Sequence, residues 1–481
     1  MIVHKFGGTS VGNAERFAAV ADLMIGYQND AAQGGVVIVV SAMGGVTNAL
    51  VAGARAAAEG KDTVYRGIKA DLLNKHLSVV EALLGHSPER LDVGGFVEDR
   101  LHDLERLYRS VAVLGELTAR GLDAVASFGE QLSSNILAAV LRERGVRAQA
   151  ISATQIVVTD DVFGGATPLM DQTRSRLEER VKPLVDRGVI PVITGYIGAT
   201  ADGVTTTLGR GGSDYTAAIV GAGLEADEVW IWSDVSGILT ADPNIVPQAR
   251  TLRELSYAEA AELAYYGANV LHPKTIRPVI ENDIPLRIAN SFDPAAPMTL
   301  IVKTPSADRD KLPAIISTTG LSLIAVSATA NSSDGSWSLD TAASILHSLS
   351  QAGIDVPMFS QSFSEHSLNL IVREQDQAHC LKVLHSAFGD ERAAFSRQTT
   401  GLEVKEQVAT ISVVGTPGWK NGPAGIGGGI VAYAFATLGA HGTRVIAVAQ
   451  AGTEYAVSFC IPEEQVQDTV RYLHKELGLE K

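Results

Sequence analysis

Over roughly the first 300 residues, short apolar runs alternate with longer amphipathic stretches. Short continuous apolar runs are typical of strands buried on both faces of a parallel sheet, and a three-to-four-residue hydrophobic repeat is typical of helices. Strands are predicted at Ile2–Phe6, Val36–Val40, Val189–Thr194, Glu228–Trp232 and Pro285–Ile288. Helices are predicted at Ala14–Tyr27, Gln131–Arg144, Leu177–Arg187, Asp214–Gly223 and Tyr257–Tyr266, and residues 65–120 are predicted to be largely helical. This alternation predicts an α/β domain with a mostly parallel sheet.

The pattern changes after a polar segment with a proline near each end, Thr304–Pro313, which we interpret as a linker. Beyond it the chain repeats itself weakly. Ser360–Glu365 precedes an apolar run, and Ala449–Glu454 precedes a second one. Each repeat has the predicted order strand, helix, strand, strand, helix, and a repeat of this size favours a duplicated domain over a solenoid. The predicted division is a domain at residues 1–303, a linker at 304–313 and two α+β units at 314–400 and 401–481.

The composition excludes several classes of protein. The chain has 481 residues and a net charge of −15, which argues against binding to nucleic acid or to an anionic membrane. No apolar run approaches the roughly 18 residues of a membrane span. Lys5 and the glycines after it interrupt the N-terminus too early for a signal peptide. Cys380 and Cys460 lack metal-ligand spacing, so we expect two free buried thiols in a reducing cytoplasm.

A glycine-rich segment follows the first predicted strand. Lys5 lies near the end of that strand, Gly7 and Gly8 follow it, and a helical pattern begins near Asn13. Glycines allow a backbone to approach a ligand closely, and the amides that open a helix then point at it, which suits phosphate oxygens. Lys5 adds a positive charge at the same place. For this segment alone, the alternative is an ordinary strand-to-helix turn.

A second glycine-rich segment, Thr205–Asp214, also opens a helical pattern. Arg210 can bind a carboxylate or a phosphate through two parallel hydrogen bonds. Asp214 lies at the predicted helix start, where the helix dipole favours its negative charge. The alternative is that Ser213 or Asp214 is only a helix N-cap. Two such segments, one with lysine and one with arginine, favour a substrate that carries negative charge at both ends.

Further candidates lie where strands end or helices begin. Ser41–Asn48 follows the second predicted strand, and parallel α/β sheets bind ligands beyond the carboxyl ends of their strands. Glu130 opens a helix and can meet an ammonium group, or it is a surface residue that stabilises the helix N-terminus. Ser233–Pro243 is either a nucleotide cradle or a tight structural loop. His272 is solitary and is more typical of a packing residue than of a catalyst.

A search for standard catalytic motifs argues against several other classes of enzyme. The chain has no G-x-x-x-x-G-K-[ST] segment and lacks the protein-kinase motif set, so it is not a P-loop protein or a protein kinase. Gly8–Gly12 fits the G-x-S-x-G pattern of a hydrolase nucleophile elbow. Such an elbow normally follows several strands, whereas this segment follows the first one, so we disfavour a hydrolase.

Six segments resemble those of the aspartokinase family and occur in the family's order. They are KFGGTSVG, SAMGGVTN, SFGEQLSS, TTTLGRGGSDYTAA, WSDVSGILTADP and ELAYYGANVLHPKT. The resemblance covers the whole chain, because aspartokinases carry a C-terminal pair of ACT domains and the duplication is similar to one. It implies an amino-acid-kinase fold, a mostly parallel sheet sandwiched by helices, followed by two ferredoxin-like ACT domains. The implied reaction is phosphorylation of the side-chain carboxylate of L-aspartate by MgATP to 4-phospho-L-aspartate, the first intermediate toward lysine, threonine and methionine.

The same resemblance implies roles for particular residues. Lys5 and Asp214 would be catalytic, Lys5 by neutralising charge on the transferred phosphoryl group and Asp214 by holding the lysine in place. ATP and its phosphates would be bound by Lys5, Gly7, Gly8, Ser10, Ser233, Asp234, Leu239, Asp242 and Lys274. L-Aspartate would be bound by Ser41, Thr47, Glu130, Arg210 and Ser213, with Glu130 on its ammonium group and Arg210 on a carboxylate. No protein side chain is expected to ligate the metal ion. Some family members have Tyr, Arg and Lys where this chain has Leu239, Asn244 and Asn269, and Lys274 is the candidate substitute.

The ACT-type pair implies feedback regulation in a homodimer or larger homo-oligomer. The expected effector is an end-product amino acid, lysine or threonine or both. The residues expected at effector sites are Gln361, Ser362, Glu365, Gln450 and Glu454. The first unit has Ser327–Asn331 where the second has the glycine-rich Gly415–Gly418, so one effector site is expected to be altered. ACT units in this family are often interleaved, and residues 314–320 are the strand expected to be donated to the second unit.

Two alternatives share this fold. A kinase of glutamate, acetylglutamate or a nucleotide is disfavoured by the pairing of Glu130 with GRGGSD and by the long C-terminal half. A catalytically silent amino-acid sensor is disfavoured by the intact Lys5, Arg210 and Asp214. The chain ends at Lys481, which leaves no room for the homoserine dehydrogenase that some relatives carry, so we expect a monofunctional enzyme.

Overall fold

The computed structural model describes residues 1–29, 34–85, 87–265, 273–328, 339–362, 367–388, 399–415, 429–450 and 456–480. Contacts within the chain divide it into two units. Unit 1 comprises Met1–Ile238, Arg253–Ala261 and Asn269–Arg309. Unit 2 comprises Leu239–Leu252, Glu262–Ala268 and Asp310–Lys481. None of the described helices combines the length and apolarity that a membrane crossing requires.

Unit 1 is built on an eight-stranded sheet. Its strands are β1 (Ile2–Phe6), β2 (Val36–Val40), β3 (Ala148–Ile151), β5 (Ile190–Thr194), β8 (Glu228–Ser233), β9 (Glu254–Ser256), β10 (Leu286–Asn290) and β11 (Thr299–Val302). Their order is β3-β5-β2-β1-β8-β10-β11-β9, and neighbours are parallel except for β10 and β11. Every residue of β1, β2 and β5 is buried, which is why these strands are continuous apolar runs in the sequence. The predicted mostly parallel sheet is confirmed.

Helices connect and cover these strands. They are α1 (Ala14–Asn29), α2 (Val46–Ala58), α3 (Asp62–Leu84), α4 (Pro88–Leu114), α5 (Ala119–Ala126), α6 (Phe128–Glu143), α7 (Met170–Arg180), α8 (Lys182–Asp186), α9 (Gly212–Gly223), α10 (Tyr257–Tyr265) and α11 (Pro273–Glu281). The end of α10, from Glu262, is assigned to unit 2. The long helices α3 and α4 account for most of the predicted helical stretch and share one large apolar core with α1, α2, α6 and the sheet. Helix α6 begins three residues before its predicted start, so Glu130 lies in its first turn.

A small second sheet in unit 1 positions one of the glycine-rich segments. It contains β4 (Val158–Thr159), β6 (Ile197–Thr200) and β7 (Thr205–Thr207), in the order β4-β6-β7. A 3-10 turn at Ala153–Gln155 precedes β4. Because β7 runs directly into the segment before α9, this sheet sets the path of the chain toward Arg210.

Unit 2 contains a six-stranded antiparallel sheet. Its strands are β12 (Ala314–Ala328), β13 (Met358–Ser362), β14 (Ser367–Arg373), β15 (Thr399–Val414), β16 (Ala447–Gln450) and β17 (Ala456–Pro462), in the order β13-β14-β12-β15-β17-β16. Its helices are α12 (Leu339–Gln351), α13 (Glu374–Phe388), α14 (Gly429–Ala440) and α15 (Val466–Glu476), with a 3-10 turn at Glu463–Gln465 before α15. Each repeat therefore has the predicted order strand, helix, strand, strand, helix.

The two repeats of unit 2 exchange parts of their long strands. Ala314–Thr318 of β12 pair with Thr410–Val414 of β15, which also pair with β17. Thr399–Lys405 of β15 pair with Leu323–Ala328 of β12, of which Leu323–Ser327 also pair with β14. Each repeat thus receives a strand from the other.

The segment that follows β8 belongs to unit 2, in contrast to the predicted domain 1–303. Thr240 Oγ1 lies 3.0 Å from Nε2 of His474 in α15, and both side chains are buried. Ala241 and Val246 pack in the apolar core formed by β15, β17, α14 and α15. The difference arises because the apolar residues of Leu239–Leu252 are buried against the second repeat, which local patterns do not reveal.

The predicted linker is anchored to α10 through Arg309, which lies near its middle. Arg309 Nη2 donates to both carboxylate oxygens of Glu259, at 2.7 and 2.8 Å, and about a tenth of each side chain is exposed. Arg309 Nη1 also donates to the carbonyl oxygen of Glu254 at 2.6 Å. Burial alone would raise the pKa of Glu259, but hydrogen bonds from Arg309 and Ser256 outweigh it and hold the pKa below its ordinary value.

Candidate active site

The carboxyl ends of β5, β2 and β1 meet at one edge of the unit 1 sheet because these neighbouring strands are parallel. In parallel α/β sheets this edge is where ligands bind. A cavity of about 530 Å³ lies there. Eight residues predicted for the active site line it: Lys5, Gly8, Ser41, Thr47, Glu130, Arg210, Ser213 and Asp214. The structure therefore brings together residues that are up to about 200 positions apart in the sequence.

Lys5 and Asp214 form an ion pair in this cavity. Lys5 Nζ lies 2.5 Å from Asp214 Oδ1, and only 11% and 16% of the two side chains are exposed. Lys5 extends from β1, which is held between β2 and β8, and Asp214 lies in the first turn of α9. The amides at this helix end favour the carboxylate, which in turn fixes the position of the ammonium group.

The first glycine-rich segment packs closely against the loop after β2. The Gly44 amide donates to the carbonyl oxygen of Gly8 at 3.0 Å. A Cβ atom at residue 8 would lie 2.9 Å from the carbonyl oxygen of Ala42, so this approach requires glycine. Lys75 of α3 donates to the Gly44 carbonyl oxygen at 2.6 Å and supports the same loop from outside.

Gly7 and Ser10, also predicted to bind phosphate, are not among the residues that line this cavity. The Ser10 side chain is fully buried, and its hydroxyl lies 2.8 Å from that of Ser291. Ser291 donates in addition to the carbonyl oxygen of Ser233, through its amide at 2.8 Å and its hydroxyl at 3.0 Å. In this structure Ser10 thus connects the first loop to the end of β8.

Glu130 is a buried carboxyl group at the cavity wall. It lies in the first turn of α6 and is 3% exposed. The backbone amides of Ala42 and of Glu130 itself donate to its carboxylate, while Oε2 has no hydrogen-bond partner within the described part of the chain. Burial raises the pKa of Glu130 to about 8, against the lowering effect of these amides. A buried acceptor without a partner fits a positively charged ligand group.

The second glycine-rich segment presents Arg210 to the cavity. Gly209 and Gly211 both have positive φ, 78° and 70°, and Gly211 is the N-cap of α9. The Arg210 side chain between them is exposed, so its guanidinium is accessible to an anion. Ser213 packs against Gly195, where a Cβ atom would lie 2.6 Å from the Ser213 hydroxyl.

Tyr196 also lines the cavity but was not predicted. It follows β5 and has φ of 68°, an uncommon and strained conformation for a residue with a side chain. The close packing of its ring on α9 requires glycine at residue 212, where a Cβ atom would lie 2.6 Å from the ring. Burial raises the pKa of the Tyr196 hydroxyl, a hydrogen bond with the Thr207 side chain opposes this, and the nearby Glu130 and Asp123 carboxylates raise the pKa further. The sequence does carry a signal for Tyr196, because Gly195-Tyr196 directly follows a fully buried strand and so lies at its carboxyl end.

The residues predicted to bind the nucleotide do not line this cavity, apart from Lys5 and Gly8. Ser233 and Asp234 lie at the carboxyl end of β8, and the Ser233 hydroxyl donates to Asp234 at 3.2 Å. Lys274 lies in the first turn of α11. Leu239 and Asp242 belong to unit 2, where Asp242 accepts from the amide of Asn244 at 2.8 Å. Asn269 and His272 lie outside the described residues.

The predicted effector residues lie on two strands of unit 2. Gln361 and Ser362 end β13, and the Gln361 side-chain Nε2 is buried without a partner among the described residues. Gln450 ends β16 and is exposed. Glu365 and Glu454 lie outside the described residues. No group of three or more His, Cys, Asp and Glu side chains in the described ranges is placed to hold a metal ion.

Comparisons with known proteins agree with this architecture. The sequence model of the amino acid kinase family matches residues 1–290, and that of the ACT domain matches residues 338–388 and 428–477. The chain is 32% identical to Aspartokinase 1, chloroplastic, of Arabidopsis thaliana over 98% of this chain and 79% of that protein. It spans about half the length of the bifunctional aspartokinase/homoserine dehydrogenases that it matches, at 51% of one from Zea mays.

Two structures of E. coli aspartokinase III share the fold across almost the whole chain. One, in complex with aspartate and ADP (R-state), has a TM-score of 0.79 and 28% identity and covers 99% of this chain and 100% of that one. The other, in complex with lysine and aspartate (T-state), has a TM-score of 0.78 and 29% identity and covers 99% of each chain. The chain belongs to the amino acid kinase family and, within it, to the aspartokinases.

Proposed function

We propose that the cavity at the carboxyl ends of β1, β2 and β5 is where the chain transfers a phosphoryl group from ATP to the side-chain carboxylate of L-aspartate. The observation that carries this proposal is that one cavity holds a paired lysine, a buried carboxyl group and an accessible arginine. These are the groups that a phosphoryl donor and a zwitterionic dicarboxylate require. The E. coli relative that was crystallised with aspartate and ADP supports the same substrate class.

The chemistry requires charge neutralisation and no proton removal. The side chain of aspartate has an ordinary pKa near 3.9, so the nucleophile is already ionised at neutral pH. The obstacle is the approach of a carboxylate to an anionic phosphoryl group. Lys5, held by Asp214, offers a positive charge, and the backbone of Gly8 offers a close approach. Positioning and electrostatic stabilisation of this kind carry most of the catalysis in phosphoryl transfer.

Glu130 and Arg210 would orient the acceptor. The unpartnered oxygen of Glu130 accepts hydrogen bonds from the substrate ammonium group, and the Arg210 guanidinium binds the α-carboxylate. The side-chain carboxylate is then left to face Lys5. Ser41, Thr47 and Ser213 offer hydroxyl groups around the same cavity.

The nucleotide would enter from the β8 side of Lys5. Ser233 and Asp234 end the strand next to β1, and Ser291 fixes this end to Ser10 through hydrogen bonds. Mg²⁺ accompanying ATP would supply further neutralisation of the phosphate charge. We assign no protein side chain to the ion, and Lys5 and the amides of the first loop supply the protein's own share of the positive potential.

Formation of an acyl phosphate tests the proposal directly. Purified protein with MgATP is given L-aspartate, L-glutamate, N-acetyl-L-glutamate or no acceptor, and hydroxylamine traps any acyl phosphate as a hydroxamate. We expect hydroxamate and ADP in equal amounts with L-aspartate and neither with the other acids. ADP release without hydroxamate would identify an ATPase, and hydroxamate formed only from another acid would refute the acceptor. No product from any acid would favour a silent sensor.

Unit 2 is proposed to regulate this activity as a feedback sensor in a homodimer or larger homo-oligomer. The ACT-domain match, the lysine-bound E. coli relative and the buried unpartnered amide of Gln361 support an amino-acid ligand at β13. We expect lysine or threonine, alone or combined, to inhibit the enzyme and to raise its Tm. Light scattering of the protein as it elutes from a size-exclusion column measures its mass and so its oligomeric state. If lysine, threonine and methionine leave both activity and Tm unchanged, or if the protein elutes as a monomer, this part of the proposal is wrong.

The proposed location is the cytoplasm or another reducing compartment. Both cysteines are free and buried, and burial raises the thiol pKa of Cys380 and of Cys460 to about 11. Free thiols that form no disulfide are typical of a reducing compartment. Fractionation of cells that produce the protein would test the assignment.

A further inference from the structure

A buried carboxylate outside the predicted site binds two segments that line the cavity. Asp123 lies within α5 and is 2% exposed. Its Oδ2 accepts from the amides of Gly164 and Thr207, both at 2.9 Å, and its Oδ1 accepts from the Thr207 hydroxyl at 2.7 Å. All three donors are neutral groups. One carboxylate thus joins a helix, a loop and a strand.

The two segments held by Asp123 form one side of the cavity. Gly164 lines it directly. Thr207 ends β7, and the chain then runs through Gly209 to Arg210, which also line it. The segments are in close contact, because a Cβ atom at residue 209 would lie 3.2 Å from the Gly164 carbonyl oxygen. Displacement of either segment therefore moves the backbone on which Arg210 is mounted.

The chemical identity of Asp123 matters as well as its size. A carboxylate accepts all three hydrogen bonds, whereas an amide of the same shape has two N–H donors in place of one acceptor. If Asn replaced Asp123 with its one oxygen toward the two backbone amides, its NH2 group would face the Thr207 hydroxyl, which would have to turn and accept instead of donate. Hydrogen bonds to a neutral amide oxygen are also weaker than those to a carboxylate, so the loop and the strand would be held less firmly.

We propose that Asp123 is a positioning residue for the acceptor side of the cavity: by binding the Gly164 loop and the end of β7 together, it sets the location of Arg210 and with it the affinity for the acceptor acid. This role rests on the proposed function, because it assigns Arg210 to aspartate. Misplacement of a binding group by about 1 Å costs up to about 100-fold in rate or affinity. The nucleotide is not proposed to contact these segments, so the KM for ATP is expected to stay unchanged.

The experiment compares Asp123→Asn with a matched loop variant, Asp160→Asn. Asp160 also accepts from amides of this loop, those of Val162 and Thr167, but on its exposed side. We expect Asp123→Asn to raise the KM for aspartate about 10- to 100-fold, with the KM for ATP within about twofold of wild type. Asp160→Asn should change neither constant by more than about twofold. Hydrogen exchange at residues 161–165 and 208–211 should rise in Asp123→Asn and not in Asp160→Asn.

A second pair of variants keeps the proposal testable if Asp123→Asn does not fold. Thr207→Ser retains the hydroxyl that donates to Asp123, and Thr207→Val removes it. Thr207→Val also removes the hydrogen bond between Thr207 and Tyr196, so Tyr196→Phe is measured beside it. The KM for aspartate should rise more in Thr207→Val than in Tyr196→Phe and should stay near the wild-type value in Thr207→Ser.

Two results would overturn the positioning role. One is a KM for aspartate that stays within twofold of wild type in both Asp123→Asn and Thr207→Val. The other is a parallel loss of aspartate and ATP affinity accompanied by a fall in Tm, which would mark a purely structural residue. Wild-type protein that forms no aspartyl phosphate under the same conditions would refute the proposed function itself, and the exchange measurement would then report the loop contact alone.

Discussion

The affinity for aspartate should depend steeply on pH because Glu130 is buried without a cationic partner. Burial raises the pKa of its carboxyl group to about 8, and the only opposing contributions are two backbone amides. The ammonium group of aspartate binds the ionised form. At pH below about 8, substrate binding must therefore release a proton from Glu130, and the free energy of that ionisation is subtracted from the binding free energy.

The size of the effect follows from the pKa of Glu130. With a pKa of about 8, roughly one molecule in ten has an ionised Glu130 at pH 7, so the apparent affinity is about tenfold weaker than the intrinsic one. Each further unit of acidification weakens it about tenfold, or about 1.4 kcal/mol. Between pH 6 and pH 8.5 the dissociation constant for aspartate should fall about 50- to 100-fold and then level off. About 0.9 proton should be released per aspartate bound at pH 7.

The assay is calorimetric titration with aspartate from pH 6 to 8.5, in pairs of buffers with different ionisation enthalpies so that proton release is measured directly. Glu130→Gln should bind weakly at every pH, with a flat profile and no proton release. Glu143→Gln is the control, since Glu143 ends the same helix but is exposed. A flat wild-type profile, or a Glu130→Gln profile that keeps the wild-type slope, would refute the assignment of the ammonium site to Glu130.

Three other predictions follow from buried contacts. Lys5→Met should lower kcat by about 10²–10³-fold and also lower Tm, because Asp214 loses its counter-charge. Adding Asp214→Asn should restore Tm but not kcat. Near-normal turnover of Lys5→Met in a steady-state assay would contradict the catalytic role of Lys5. Glu259→Gln should cost about 3–5 kcal/mol in the free energy of unfolding at neutral pH, since a buried guanidinium is left unpaired. Because the pKa of Glu259 is lowered, the difference in unfolding free energy between wild type and Glu259→Gln should shrink as pH falls through that pKa. Urea titrations of both proteins at several pH values measure this difference. A difference that does not change with pH would contradict the contribution of the ion pair. Ser291→Ala should cost about 1–2 kcal/mol by leaving the buried Ser10 hydroxyl without its partner, and an unchanged urea midpoint would contradict that contact.

The main sheet could be predicted from the sequence because its central strands are buried on both faces. Continuous apolar runs such as Val36–Val40 have no other common explanation at that length, and the glycine-rich segments then fall at the carboxyl ends of strands. The strands of the small sheet are only two to four residues long and carry no such signal. The assignment of Leu239–Leu252 to unit 2 is equally hidden, because it depends on burial in a core whose residues lie mostly more than 150 positions later.

The residues of the candidate site likewise include some that could be predicted from the sequence and one that could not. Lys5, Glu130, Arg210 and Asp214 could be predicted because each is a charged residue at a strand end or helix start, and parallel strands bring such ends together. Asp123 could not, because its partners are 41 and 84 residues away and its helix gives no local sign of them. Contacts of this range are products of the folded topology.

Because the transfer step needs no general base, pH should change the binding of aspartate and not the turnover rate of this enzyme. The acceptor carboxylate is ionised throughout the neutral range, so the transfer step requires no proton to move and kcat should stay flat between pH 6 and 8.5. Glu130, whose pKa is about 8, should instead change only the KM for aspartate. A general-base role for Glu130 makes the opposite prediction, since kcat would then fall as the residue is protonated below pH 8. Measuring kcat and KM separately across one pH titration therefore distinguishes a binding carboxylate from a catalytic base.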